Sequence, residues 1–227
     1  MKCHDDLPAY KPRGTPNRAG ANTATSMPRP KNQRRIDVLH TLRLGGIDQA
    51  IHICGENFNL PLLVFLHGGP GLPHMPFAHV NAELTRSFLV VNWDQRGAGK
   101  SYSPFLQPQD MSIEQLVADA CELLTWLHRH FTPPALVLVG HSWGSAFGTL
   151  VAARSPHLVS AYVGIGQVTN LRRAEESRYQ FCSAIARQRH DLSAANALRR
   201  LGAPPYADSQ KSDLLERLAF RLASKFY

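Results

Sequence analysis

The sequence predicts an α/β chain built on an open, mostly parallel sheet, and three observations carry that prediction. Four short runs, "PLLVFL" (61–66), "SFLVVNW" (87–93), "ALVLVG" (135–140) and "VSAYVGI" (159–165), are almost continuously apolar, the pattern of strands covered on both faces. The stretch 112–131 instead repeats its apolar residues at three and four, the spacing of a helix with one buried face. After residue 166 no such run recurs and charged, helix-forming text takes over. With 227 residues and 44% hydrophobic content the chain can bury a core of its own.

In chain order, residues 1–35 come first. They hold five prolines, eight Lys or Arg against Asp5 and Asp6, and few large apolar side chains. Such a stretch cannot bury enough surface to offset ordering, so it reads as a disordered basic leader, either a targeting or anionic-surface tail or a plain extension. "LRLGG" and "QAIHIC" predict an antiparallel hairpin turning at Gly45 and Gly46. The four apolar runs follow, with Ser112 placed to cap a crossover helix that buries Ile113, Leu116, Val117, Ala120, Leu123, Leu124 and Leu127. The core therefore spans 36–166, and 167–227 reads as a separate helical segment broken by "GAPPY".

Charge and cysteine usage narrow the function. The leader supplies +6 of the formal +8, leaving the rest near neutral and removing most of the case for a nucleic-acid partner. No apolar run reaches the length of a membrane span, and the start has no signal-peptide pattern, so a soluble cytoplasmic protein is expected. Cys3, Cys54, Cys121 and Cys182 are scattered without metal-ligand spacing, which fits reduced thiols, no metal and no cofactor.

The chemistry-bearing residues cluster where predicted strands end. Gly140-His141-Ser142-Trp143-Gly144 fits G-x-S-x-G between a strand and a helix, an arrangement that needs small neighbours because the serine sits on a strained turn. "HGGPG" (67–71), with Gly68, Gly69 and Gly71, follows the strand "LLVFL" and can bring free amides close to a ligand; its plain alternative is a tight turn. "DQRGAGKS" (94–101) lacks the first glycine of a phosphate loop, so Asp94 and Arg96 read as a structural ion pair or turn network bordering the site. His67 and His141 read as wall or hydrogen-bonding groups rather than a general base.

The ordered set "HGGPG", "DQRGAGKS" and "GHSWGS" resembles the α/β-hydrolase superfamily, and within it the proline iminopeptidase family; "VGIGQVTNLRRAEESRYQF" and "LGAPPY" resemble the start of that family's helical cap. The resemblance implies an α/β-hydrolase fold, a Ser142 nucleophile, oxyanion amides on Gly69 and Trp143, and a small peptide or amino-acid amide as substrate. It also implies an acidic cap residue for the substrate amine, with Glu175 and Glu176 as candidates. An ester, amide or lactone substrate, or ligand binding without turnover, stays open.

The resemblance further implies a triad Asp and His after the nucleophile. Beyond Ser142 the histidines are His157, near the end of the following helix, and His190, in helical text, and neither follows a strand. Six strands stand where the fold has eight, which would leave the strand at 159–165 an unprotected sheet edge. The expectation is therefore the N-terminal part of a longer hydrolase, ending within its cap and turning over little substrate alone.

Overall fold

A computed structural model describes residues 35–224; the leader reading falls on 1–34, outside the described residues. The chain divides into two compact units, one ending at Gln167 and the other beginning at Val168.

The first unit is a six-stranded sheet made of β1 (Ile36–Leu44), β2 (Ile47–Gly55), β3 (Leu62–Leu66), β4 (Leu89–Trp93), β5 (Leu136–His141) and β6 (Ala161–Ile165). Their order is β1-β2-β4-β3-β5-β6. The β1–β2 and β2–β4 pairings are antiparallel, whereas β3 pairs in parallel with β4 and β5, and β5 with β6. Gly45 and Gly46 form the hairpin turn, both at positive φ.

Two helices cover one face. In α1 (Ile113–Phe131) Ser112 Oγ accepts from the Gln115 amide at 3.1 Å, satisfying an orphan donor of the first turn. Leu116, Leu123, Leu124 and Leu127 of α1, with Phe147 and Val151 of α2 (Trp143–Arg154), pack on Ile51, Ile53, Val64, Leu66, Val91 and Trp93. The alternate side chains, Cys54, Leu63, Phe65, Val90 and Val139, face the other way and meet Leu84 and Phe88, at and just after the end of a 3-10 segment over Met75–Arg86.

Register positions the site. Leu66 lies opposite both Trp93 and Gly140, so the chain leaves β3, β4 and β5 at one level of the sheet. His67 and Asp94 therefore begin two loops, and His141 ends β5, at the same sheet end, where open α/β sheets place their ligands.

The run at 159–165 differs from its expectation of a strand covered on both faces. Only Ala161–Ile165 is strand, it is the sheet edge, and Val163 and Ile165 are 44% and 47% exposed. Apolar content does not separate a central strand from an edge strand, because both feed the same ladder.

The second unit is helical: α3 (Leu171–Gln188), α4 (Leu192–Leu201) and α5 (Ser209–Ala223) enclose their own core of Cys182, Ile185, Ala194, Leu198, Leu215 and Leu222. Each helix starts on a short polar cap, Asn170, Asp191 and Asp208, whose side chain accepts a first-turn amide. Among the described residues no helix is long and apolar enough to cross a membrane. Cys54, Cys121 and Cys182 are free thiols.

Candidate active site

Ser142 joins β5 directly to α2 with φ 49° and ψ −115°, a conformation that side chains other than glycine's rarely adopt. The turn is held on both sides. Its amide donates to the Ile165 carbonyl at 2.8 Å, and its own carbonyl accepts from the Ser145 amide at 2.8 Å and Ser145 Oγ at 2.6 Å. A Cβ on Gly140 would lie 2.7 Å from the Gly144 carbonyl oxygen, and one on Gly144 would overlap the Leu66 carbonyl. Those two glycines thus let a helix start against the end of β3.

The loop after β3 closes on this turn. A Cβ on Gly68 would sit 3.4 Å from Ser142 Cβ and 3.0 Å from His141 Nδ1, so the Gly68 backbone packs against the serine. Gly69 has φ 121° and Gly71 φ 81°. The Gly69 amide has no hydrogen-bond partner among the described residues, and the Trp143 amide opens α2, where no carbonyl of the helix can take it. The Trp143 amide directly follows Ser142 in the chain, and the Gly69 amide adjoins the Gly68 backbone that packs on the serine. The indole Nε1 of Trp143 is also buried and unpaired.

His67 is 2% exposed and both ring nitrogens are occupied. Nε2 accepts from the Gln95 amide at 3.1 Å, which leaves the ring proton on Nδ1, 2.9 Å from the Gly68 carbonyl. Gln95 Nε2 also donates to the His67 carbonyl at 3.1 Å. Burial above all holds the ring below the usual histidine pKa; the Gly68 bond and nearby Asp94 partly offset it. A neutral ring with both nitrogens engaged has no lone pair for a serine proton. His74 stacks on Phe65 at 5.3 Å, bonds Asn81 at 2.8 Å, and is lowered by burial first and His141 second. His141 itself is exposed beside Gly68.

Asp94 and Arg96 do not pair with each other. Asp94 Oδ2 accepts the Lys100 amide at 2.9 Å and its carbonyl accepts Ser101 Oγ, so it organises the turn of "DQRGAGKS". Burial raises its pKa, and Oδ1 lacks a partner. Arg96 instead grips Asp119 of α1 through Nε at 2.6 Å and Nη2 at 2.8 Å. Asp119 was not singled out from the sequence, although an acid among Leu116, Ala120 and Leu123 stands on the inward face of α1 and signals a buried partner.

In the second unit Glu175 is already engaged, accepting the Tyr206 amide at 3.2 Å and the Ser212 hydroxyl. Glu176, with its side chain 44% exposed, lies 3.6 Å from Arg172. His157 falls in the turn after α2 and His190 between α3 and α4. No described residue hydrogen-bonds the Ser142 hydroxyl.

A serine on a strained strand-to-helix turn, at the carboxyl end of a mostly parallel sheet and beside a glycine loop with a free amide, defines the α/β-hydrolase class. Residues 61–205 match the α/β hydrolase fold family, and the chain belongs to it. It is 37% identical over 175 residues to the probable aminopeptidase YbaC of Bacillus subtilis, covering 77% of this chain and 55% of that protein. The proline iminopeptidase structure of Mycobacterium smegmatis shares the fold at a TM-score of 0.58 and 21% identity, over 84% of this chain and 60% of that one. Epoxide hydrolase VrEH1 of Vigna radiata aligns at a TM-score of 0.50 and 27% identity, over 60% of this chain and 42% of that one. The chain thus spans about half the length of these relatives.

Proposed function

We propose that this chain carries the nucleophile and oxyanion half of a serine aminopeptidase that releases an N-terminal residue, proline foremost, from small peptides. The observation that carries the reading is Ser142 held at φ 49° with Gly68 packed on its Cβ. In the proposed reaction Ser142 Oγ attacks the carbonyl carbon, its proton passing to an imidazole base. The carbonyl oxygen, now an oxyanion, accepts from the Gly69 and Trp143 amides; its collapse, with the proton passing from the base to the departing nitrogen, expels the peptide amine and leaves an acyl-serine that water hydrolyses. No described residue fills the base position. His67 is excluded from it because the Gln95 amide occupies its acceptor nitrogen. Glu175 and Glu176 stay the candidate acids for the substrate amine; within its own unit Glu175 is spent on Tyr206 and Ser212, while Glu176 lies beside Arg172.

Similarity to an aminopeptidase and to epoxide hydrolases supports a second reading, in which the same serine acts on an ester, lactone or other small electrophile. The test is the purified full chain against a prolyl arylamide, a short-chain ester and an epoxide, with Ser142→Ala as control. Ser142-dependent release of arylamine supports the first reading. Ester or epoxide turnover alone supports the second, and no Ser142-dependent turnover of any fits either a binding protein or a nucleophile without its base, two cases that covalent capture of Ser142 in imidazole buffer separates.

A further inference from the structure

The motif "DQRGAGKS" has no part in the reaction proposed above, yet its second residue makes both of its conspicuous bonds to the loop that holds an oxyanion amide. We propose that Gln95 and His67 form a positioning relay that fixes the Gly68–Gly69 peptide so that the Gly69 N–H stays directed at the oxyanion position beside Ser142.

The relay runs through named atoms. The Gln95 amide donates to His67 Nε2 at 3.1 Å, and Gln95 Nε2 ties down the His67 carbonyl at 3.1 Å. With Nε2 committed as an acceptor, the ring's one proton resides on Nδ1 and is donated to the Gly68 carbonyl at 2.9 Å. The Leu72 amide donates to the same carbonyl at 3.3 Å. A trans peptide sets its N–H opposite its C=O, so holding the Gly68 carbonyl from two donors points the Gly69 N–H to the other side. That N–H has no partner among the described residues, and the adjoining Gly68 backbone is the part of the loop packed on Ser142. Turning the peptide over would break both carbonyl bonds at once. Two loops from neighbouring strands thereby set one donor, and His67 is a positioning residue rather than a catalytic one.

The inference rests on the nucleophile reading for its kinetic arm alone. In the full chain, nitrogen-15 NMR of the His67 ring is expected to show an acceptor-type Nε2 and a protonated Nδ1 at neutral pH. The Gly69 amide resonance is expected to keep its position in His67→Asn, which retains a donor near Nδ1, and to shift or broaden in His67→Leu. Labelling of Ser142 by a fluorophosphonate in imidazole buffer, which supplies the base, is expected to slow about tenfold or more in His67→Leu, toward the loss seen when an oxyanion donor is removed, and to recover within about threefold in His67→Asn. A protonated Nε2 in the wild-type ring, an unmoved Gly69 amide in His67→Leu, or wild-type labelling by that variant overturns the relay. A wild-type chain that does not label at Ser142 sinks the nucleophile reading instead, while the two NMR measurements still decide the relay.

Discussion

Arg96 and Asp119 form a bidentate ion pair with both side chains out of water, 2% and 0% exposed, at 2.6 and 2.8 Å. Gln49 and Gln115 complete the acid's acceptor sites at 2.6 and 2.8 Å, and Arg96 also donates to the carbonyls of Asp110 and Gly45. The pair fastens the loop after β4 to α1 and to the first hairpin. It carries no reaction, but the loop it anchors contains Gln95.

Breaking one half of a buried pair strands the other charge. Asp119→Ala is expected to lower unfolding free energy by about 3–5 kcal/mol, measured by urea denaturation. Joint replacement of Arg96 and Asp119 by Met and Leu should cost clearly less than the single change, because no charge is then left unpaired. Equal losses would show that the geometry of the network, not the buried charge, sets the cost.

The strained serine gives an expectation of the opposite sign. At φ 49° an alanine retains the steric penalty and a glycine relieves it. Ser142→Gly should therefore be more stable than Ser142→Ala by about 1–2 kcal/mol, and both should be chemically inert. Thermal unfolding of the two variants in one buffer checks this; an alanine variant as stable as the glycine one argues against strain at the elbow.

Gly144 and Gly148 both lie on α2 but are expected to respond differently to alanine. At Gly144 the new methyl overlaps the Leu66 backbone, which cannot move without moving β3. At Gly148 it meets the Tyr162 ring edge at 2.9 Å, and a side chain can shift. Gly144→Ala should cost about 3 kcal/mol and Gly148→Ala about 1 kcal/mol or less, read from denaturation midpoints.

The pH response follows from His67. Burial, its main cause, puts the folded pKa below the usual histidine value of 6.5, so the unfolded chain takes up this proton first. Stability from this group is full above 6.5 and falls as pH drops toward the lowered folded value. Asp94, raised from 3.8 chiefly by burial, acts with the reverse sign: its contribution is present below 3.8 and lost as pH rises through its raised value. His74 shares the sign of His67, so the wild-type slope alone does not isolate one ring. The difference in melting temperature between wild type and His67→Asn does, and it should narrow as pH is lowered below 6.5 toward the lowered folded value. A constant gap would mean that the His67 ring titrates alike in both states.

Much of this was legible in residue order. The hairpin at Gly45 and Gly46, the capped helix from Ile113 and the elbow at Ser142 are local devices, each written in adjacent residues. The membership of β6 in the sheet and its place at an open edge were readable, the second from the count of six strands against eight; the exposure of Val163 and Ile165 was not readable from the apolar run itself, which looks alike at a centre or an edge. The partner of Arg96 was missed because it lies 23 residues on, whereas Asp94 is near in sequence and turns away to bind Lys100 and Ser101. Likewise nothing local in the sequence marks Gln95. Its bonds to His67 span 28 residues, and long-range hydrogen bonds leave no periodic trace in a sequence.

The central claim is that Ser142 is held as a nucleophile facing the Gly69 and Trp143 amides, and covalent capture tests it most directly. The folded full chain is treated with a fluorophosphonate in imidazole buffer, which supplies the base that no described residue fills, and the adduct is mapped by peptide mass spectrometry, with Ser142→Ala alongside. One adduct on the peptide containing Ser142, absent from the variant, is the expected result. A folded chain that stays unmodified at Ser142, or an adduct that persists in the variant, contradicts it.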